Sequence, residues 1–116
     1  MEASELTAAG ATLYSLSDGV EVIGIGALKP LEPGIGELKS MHVAAEARGK
    51  GASKALLDAL LEAARAEGMH RVNLETGVED VFAAARGLYL RYGFEECPPF
   101  GDYGDDPLSV FMTKAL

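Results

Sequence analysis

The chain has a single cysteine, Cys97, among its 116 residues, so it cannot form a disulfide within itself. A secretory signal has a basic stretch followed by an apolar one, and the start of this chain shows no such pattern. Together these two features predict a reducing, cytoplasmic location. No apolar run reaches the roughly 18 residues that a membrane-spanning helix needs, so we expect no membrane partner.

Metal ligands and basic residues are also scarce. The two histidines, His42 and His70, lie far apart and form no zinc-ligand spacing with Cys97, so no metal is expected. Eighteen acidic residues outnumber ten basic ones, which gives a net charge of −8. Nucleic-acid binding needs basic surface that displaces counterions, so this charge argues against a nucleic-acid partner. The acidity fits a cationic substrate, and equally it fits solubility alone.

The pattern that is present predicts an α/β fold. The length favours one domain, spanning 1–116. Periodicity and turn residues predict strands at 11–16, 20–28 and 35–43, a helix at 52–67, a strand at 71–76, a helix from Asp80 to Tyr92, and strands at 94–97 and 108–114. The first three strands suit an antiparallel meander, and the first helix suits a right-handed crossover to a parallel strand. We expect residues 1–10 to be a frayed lead-in.

Two details of the predicted strands concern the site. Side chains of strand 35–43 should alternate between two faces. One face would carry Glu37, Lys39, Met41 and Val43, and the other Leu38, Ser40 and His42. In the preceding strand, Gly24 and Gly26 interrupt an apolar stretch, which marks a bulge or the close approach of another group.

The segment 43–54 lies between a predicted strand and a long helix, and it concentrates positive charge. Three of the ten basic residues, Arg48, Lys50 and Lys54, fall within seven positions. Gly49 and Gly51 lack the Cβ atoms that would keep a backbone away from a ligand, and N–H groups at a helix start carry partial positive charge. These features predict a phosphate or pyrophosphate site. The alternative is a plain glycine turn with solvated lysines, and the spacing fits neither a Walker A nor a Rossmann loop.

Segments in the same order resemble the GNAT N-acetyltransferase superfamily. Residues 48–52, Arg-Gly-Lys-Gly-Ala, resemble its signature Gln/Arg-x-x-Gly-x-Gly/Ala in the variant Arg-Gly-x-Gly-x-Ser/Gly. Residues 36–43 resemble its central strand, 88–94 its Leu-Tyr-x-x-x-Gly-Phe element, and 98–109 the ending of a common bacterial branch. The resemblance covers about residues 11–116. It implies a mixed sheet with antiparallel N-terminal strands and a parallel central pair. This sheet would lack the first strand and the helices with which family members usually begin.

The resemblance implies an N-acetyltransferase that moves an acetyl group from acetyl-CoA to a primary amine by direct attack. The residues implied at the pyrophosphate are Arg48, Gly49, Lys50, Gly51, Ala52 and Ser53. The residues implied along the pantetheine arm, which would pair with the backbone like an added strand, are Met41, His42 and Val43. The parallel strands would splay there. The acceptor would be a small-molecule or peptide amine.

Two residues are expected to carry the chemistry. An alkyl ammonium with a pKa near 10.4 is only about 0.04% neutral at pH 7, so its proton must be removed. Glu37 is the candidate base, acting directly or through water; the alternative is an exposed strand residue beside Lys39. Tyr89 is the candidate acid for the departing thiolate, and the alternative is a core tyrosine. A backbone N–H near Met41 would hold the oxyanion.

Other residues are predicted to be structural. We expect Cys97 to pack rather than act as a nucleophile, and His42 to be structural rather than a base. Asp102, Asp105 and Asp106 fit an ordinary turn better than a site for a cation, because they lack the spacing of a calcium loop.

Departures from the family pattern leave further alternatives open. Phe82 stands where family members often carry an Asn or Gln that contacts the cofactor. A shortened sheet would expose an edge or an apolar face, so we expect a homodimer. The alternative function is a non-catalytic CoA-binding regulatory or sensor module. A purely structural interaction protein would leave the basic cluster unexplained.

Overall fold

A computed structural model describes residues 2–8, 10–44 and 51–116, with the backbone alone for 2–8 and Ser40. The described strands are β1 (Glu2–Ala8), β2 (Ala11–Ser17), β3 (Val22–Glu32), β4 (Ile35–Val43), β5 (Arg71–Gly77), β6 (Glu95–Glu96) and β7 (Ser109–Ala115). The helices are α1 (Ala52–Ala66) and α2 (Ala83–Arg91), and a 3₁₀ turn (Asp80–Phe82) precedes α2. The strands form one sheet in the order β1-β2-β3-β4-β5-β7-β6. The predicted mixed sheet is confirmed, because β4 and β5 are parallel and the other described pairs are antiparallel.

The first residues form a strand, so the prediction of a frayed lead-in without a first strand is wrong. β1 pairs with β2 along its whole length, from Glu2 opposite Ser17 to Ala8 opposite Ala11. Gly10, with φ at 77°, allows the tight turn between them. Residues 9 and 10 alone separate the two strands, so no helix lies between them. The sequence missed β1 because its composition has low strand propensity, and pairing with a neighbouring strand overrides such local preference.

α1 packs against one face of the sheet through its leucines. Leu56, Leu57 and Leu60 are fully buried there, as their helical spacing predicts. α2 lies beside α1, and the hydroxyl of Tyr92, the residue after α2, donates a hydrogen bond to Asp58 of α1 at 2.7 Å. None of the described helices is long and apolar enough to cross a membrane.

The start of α2 differs from the sequence prediction. Asp80, where the predicted helix starts, instead begins the 3₁₀ turn, and no side-chain hydrogen bond caps either that turn or α2. Val81, which lies inside the predicted helix, is 79% exposed. The predicted helix begins too early because a 3₁₀ turn, with three residues per turn, occupies its first positions.

A β-bulge in β4 makes the predicted alternation wrong. The register of β3 against β4 places Gly26 opposite two residues, Ser40 and Met41. The extra residue reverses the order of the faces from that point on. Leu38 and Val43, predicted to face opposite ways, are therefore both buried in the same core.

Gly26 provides the space that this bulge needs. A Cβ at Gly26 would lie 2.9 Å from Cδ1 of Leu60 and 3.3 Å from Cγ of Met41. The predicted close approach at this glycine is therefore confirmed, and α1 is the neighbour that comes close.

The sheet opens beyond the paired part of β4 and β5. The described ladder between them ends at Leu38 and Leu74, although β4 continues to Val43 and β5 to Gly77. Over these remaining lengths β4 follows β3 and β5 follows β7. The opening lies at the carboxyl ends of two parallel strands, where open α/β sheets bind ligands. The structure therefore has the splay between strands that the family resemblance implied.

Candidate active site

A cavity of about 320 Å³ lies at the opening between β4 and β5. Its polar wall residues include Lys39 from β4, Glu75 from β5 and Tyr89 from α2. Most of the remaining wall is apolar and consists of Leu38, Met41, Leu74, Phe82, Ala85 and Leu108. A cavity that combines apolar side chains with a few converging polar groups is the usual form of a small-molecule site.

Tyr89 lies in the cavity wall with its hydroxyl directed at the bulge of β4. The side chain is 7% exposed, and its ring meets Phe94 edge-on with centroids 5.7 Å apart. The hydroxyl donates to Sδ of Met41 at 3.7 Å, and a thioether is a weak acceptor. Burial raises the pKa of Tyr89, because the charged phenolate is disfavoured away from water. The residue is thus a core tyrosine and also a protonated group at the cavity.

Glu37 lies outside the cavity wall. It is on the face of β4 opposite α1, because its neighbour Leu38 points into the core. The side chain is only 3% exposed, so the alternative of an exposed strand residue is wrong. Its Oε2 accepts a hydrogen bond from the Tyr103 hydroxyl at 2.7 Å. The role of Glu37 as a base, acting directly or through water, stays a prediction.

The loop between β6 and β7 covers Glu37, which the sequence did not predict. The ring of Tyr103 packs against Phe100 and Phe111, with both pairs of centroids 5.4 Å apart. Burial, together with the hydrogen bond to Glu37, raises the pKa of Tyr103 to about 12. The phenol therefore remains a donor to Glu37 at neutral pH. The two aromatic residues Phe100 and Tyr103, in a loop rich in Pro, Gly and Asp, were the available signal that this loop docks onto the sheet.

Glu75 is the carboxylate that lines the cavity, and sequence reasoning missed it. Its Oε2 accepts a hydrogen bond from the Ser109 hydroxyl at 2.5 Å. Strand alternation places Glu75 on the face of β5 opposite that of Leu74, which is the face that carries Glu37 on β4. Because the ladder ends at Leu74, the next residue reaches the opening. The alternation was visible in the sequence, but the end of the ladder was not.

Only part of the predicted pyrophosphate segment is described. Arg48, Gly49 and Lys50 lie outside the described residues. Gly51 has a left-handed conformation with φ at 82°, and a Cβ there would meet nothing within 4 Å. The first helical hydrogen bond of α1 runs from Ala55 N–H to the Gly51 carbonyl, so the preceding N–H groups have no acceptor within the helix. This helix start offers donors and open space to an anion.

The other predicted cofactor residues lie at the beginning of α1 and the end of β4. Ala52 is buried and Ser53 is partly buried in the first turn of α1. Met41 lies in the cavity wall, His42 is exposed and Val43 belongs to the core. The backbone of this part of β4 runs along the opening between the two strands. The pantetheine contact of residues 41–43 stays a prediction.

The remaining candidates have structural surroundings. Burial raises the pKa of the Cys97 thiol, with Arg71 acting in the opposite direction, which disfavours a nucleophilic thiolate. Asp106 accepts a hydrogen bond from the Leu108 N–H, as in an ordinary turn. Within residues 10–44 and 51–116, apart from Ser40, no cluster of three His, Cys, Asp or Glu side chains suited to a metal is present. The Phe82 ring packs against Gly77 and presents an apolar surface to the cavity.

Comparisons with known proteins point to one family. Residues 2–94 match the model of the acetyltransferase (GNAT) family. The chain is 48% identical over 105 residues to "Uncharacterized N-acetyltransferase YsnE" of Bacillus subtilis (strain 168), covering 90% of this chain and 70% of that one. It is 45% identical over 96 residues to "IAA acetyltransferase" of Azospirillum brasilense, covering 82% of this chain and 61% of that one.

A solved structure agrees with these relatives. A Klebsiella pneumoniae protein named as an acyl-CoA N-acyltransferase superposes with a TM-score of 0.85 at 37% identity, covering 96% of this chain and 76% of that one. The fold and these matches place the chain in the class of N-acyltransferases. It belongs to the acetyltransferase (GNAT) family.

Proposed function

We propose that the chain transfers an acetyl group from acetyl-CoA to a primary amine. The observation that carries this proposal is the protonated phenol of Tyr89 in the wall of a cavity at the break between β4 and β5. Family membership supports an acyl-CoA donor. The relative named "IAA acetyltransferase" supports a small-molecule acceptor.

The donor follows the opening from α1 towards Tyr89. Its pyrophosphate binds residues 48–53, where the partial positive charge of the α1 start adds to Arg48 and Lys50. Gly51 lets the backbone come close to the anion, because no Cβ stands in the way. The pantetheine arm pairs with the backbone of residues 41–43, which brings the thioester beside Tyr89.

The transfer is a direct substitution at the thioester carbonyl. The amine nitrogen forms a bond to the carbonyl carbon, and the carbon–sulfur bond breaks. A backbone N–H near Met41 stabilises the developing oxyanion. The departing thiolate takes the proton of Tyr89, whose present acceptor is only a thioether. Before the attack, the acceptor ammonium loses one proton to Glu75 in the wall, or through water to Glu37. After the attack, the nitrogen loses a second proton, which returns through water to the phenolate left on Tyr89.

Substitution of Gly51 by alanine tests the donor site. Gly51→Ala is expected to weaken acetyl-CoA binding by about 10- to 100-fold, because strain and the added methyl group both oppose the close approach of the anion. Gly68→Ala is the matched control. Gly68 also has a left-handed conformation, with φ at 81°, and an added Cβ would meet nothing within 4 Å, but it lies just beyond the other end of α1. Calorimetry with acetyl-CoA gives both affinities. Equal losses in the two variants would place the pyrophosphate elsewhere.

The release of free thiol from acetyl-CoA in the presence of amines measures the transfer itself. Binding of acetyl-CoA with no amine-dependent thiol release across a broad amine panel would favour the alternative, a CoA-binding module without turnover.

We also propose that the chain forms a homodimer. Leu13 and Ile25, on the face of β2 and β3 opposite α1, are 40% and 37% exposed, and β1 leaves one edge of the sheet open. We expect light scattering at micromolar concentration to give twice the mass of one chain. Ile25→Glu should produce the monomer, whereas Val20→Glu, in the turn before β3, should not. A monomeric parent chain would contradict the proposal.

A further inference from the structure

The cavity wall carries two groups of opposite charge. Among the described lining residues, Lys39 on β4 is the basic one and Glu75 on β5 is the acidic one. They follow Leu38 and Leu74, the last pair of the ladder, so they stand on the two strands where these separate. In the part of the chain that the structure describes, neither side chain takes part in an ion pair. Glu75 accepts a hydrogen bond from the Ser109 hydroxyl at Oε2, but neither charge is neutralised by an ion pair with a described residue, so each can contact a group of opposite charge on a ligand.

A ligand that satisfies both side chains must carry a cation and an anion. Glu75 is an acceptor for an ammonium group, and the ammonium of Lys39 is a donor to a carboxylate. Both contacts would be charge-assisted hydrogen bonds, which are about twice as strong as neutral ones. The rest of the wall is mainly apolar, which suits a hydrocarbon substituent on the same molecule.

We infer that the acceptor is an amine that also carries a carboxylate close by, of the α-amino acid class with an apolar side chain. Glu75 holds the amino group that is acetylated, and Lys39 holds the carboxylate. This inference rests on the proposed function, because it names the acceptor of that reaction. A polyamine would leave Lys39 without an anion and place a second cation near it. The N-terminus of a long peptide has no free carboxylate at the required distance.

Binding to the protein saturated with CoA tests the inference without turnover. The probes are L-leucine, its decarboxylated analogue 3-methylbutylamine and its deaminated analogue 4-methylpentanoate, with the matching sets for methionine and phenylalanine. For at least one set, calorimetry should show the amino acid binding ten or more times tighter than either analogue. Similar affinities within every set, or no binding of any amino acid, would overturn the inference.

Single substitutions assign the two charges separately. In Lys39→Gln, the amino acid should bind no tighter than its decarboxylated analogue but still tighter than its deaminated analogue. In Glu75→Gln, the amino acid should bind no tighter than its deaminated analogue but still tighter than its decarboxylated analogue. Lys29→Gln is the control, because Lys29 is an exposed lysine of β3 outside the cavity wall and should leave all three affinities unchanged. A preference that survives both Lys39→Gln and Glu75→Gln would contradict the assignment.

Thiol release separates this inference from the proposed function. If the amino acid is preferred in binding but no thiol is released, the proposed function is wrong, and the amino acid is a ligand of the cavity and not an acceptor. If amines without a carboxylate are acetylated as efficiently as their amino acids, the acceptor class is wrong and the function stands.

Discussion

Tyr89→Phe is expected to lower kcat by about 10²–10⁴-fold while the Kd for acetyl-CoA changes less than threefold. The substitution removes the proton offered to the departing thiolate and keeps the ring that packs edge-on against Phe94. The only described hydrogen bond of the Tyr89 hydroxyl is to the thioether of Met41, so little stability should be lost. Steady-state kinetics, calorimetry with acetyl-CoA and thermal unfolding together measure these three effects.

Tyr92→Phe is the matched control for this prediction. Tyr92 is a second phenol, just beyond the end of α2, but its hydroxyl bonds Asp58 outside the cavity wall, so kcat should stay within threefold of the parent. Because burial raises the pKa of Tyr89, its acid form persists above the usual range of a phenol, and loss of this proton should not reduce kcat below about pH 10. A Tyr89→Phe variant within threefold of the parent kcat would remove Tyr89 from the mechanism.

The order of elements after residue 10 could be predicted from the sequence because local signals agree there. The leucines at 56, 57 and 60 have helical spacing, and Gly68 provides the left-handed residue that ends the helix. β1 could not be predicted in this way. Its stability as a strand comes from pairing with β2, and that pairing is not visible in its own composition.

The bulge in β4 shows why part of the site was hidden in the sequence. Strict alternation places Leu38 and Val43 on opposite faces, whereas the extra residue at 40–41 brings both into the core. Gly26 was the local signal, but a glycine in a strand does not reveal which residue of the neighbouring strand is inserted.

The positions of Glu37 and Glu75 show the same limit of prediction from the sequence. Strand periodicity gives the face of Glu37 and Glu75, but not the point where β4 and β5 separate. That point depends on how far each strand follows its other neighbour, β3 or β7. Family resemblance favoured Glu37, and the three-dimensional arrangement makes Glu75 the carboxylate of the wall.

Exchanging each carboxylate for its amide distinguishes their roles. Glu75→Gln is expected to lower kcat/KM for the acceptor by about 10²–10³-fold at pH 7, because glutamine keeps the shape but can neither hold an ammonium by charge nor accept its proton. The loss should shrink as the pH rises towards the pKa of the amine, near 10 for an alkyl amine, because the solution then supplies the neutral form. A profile of kcat/KM against pH from 6.5 to 9.5 measures both effects.

Glu37→Gln is the comparison, and its effect should be at most about tenfold, since a water-mediated base is more easily replaced by solvent than one in contact with the amine. Glutamine still offers an acceptor oxygen to the Tyr103 hydroxyl, so the docked loop should remain in place. If Glu37→Gln causes the larger loss and Glu75→Gln a small one, the ammonium proton leaves through Glu37. The carboxylate in the wall would then bind the acceptor without taking its proton.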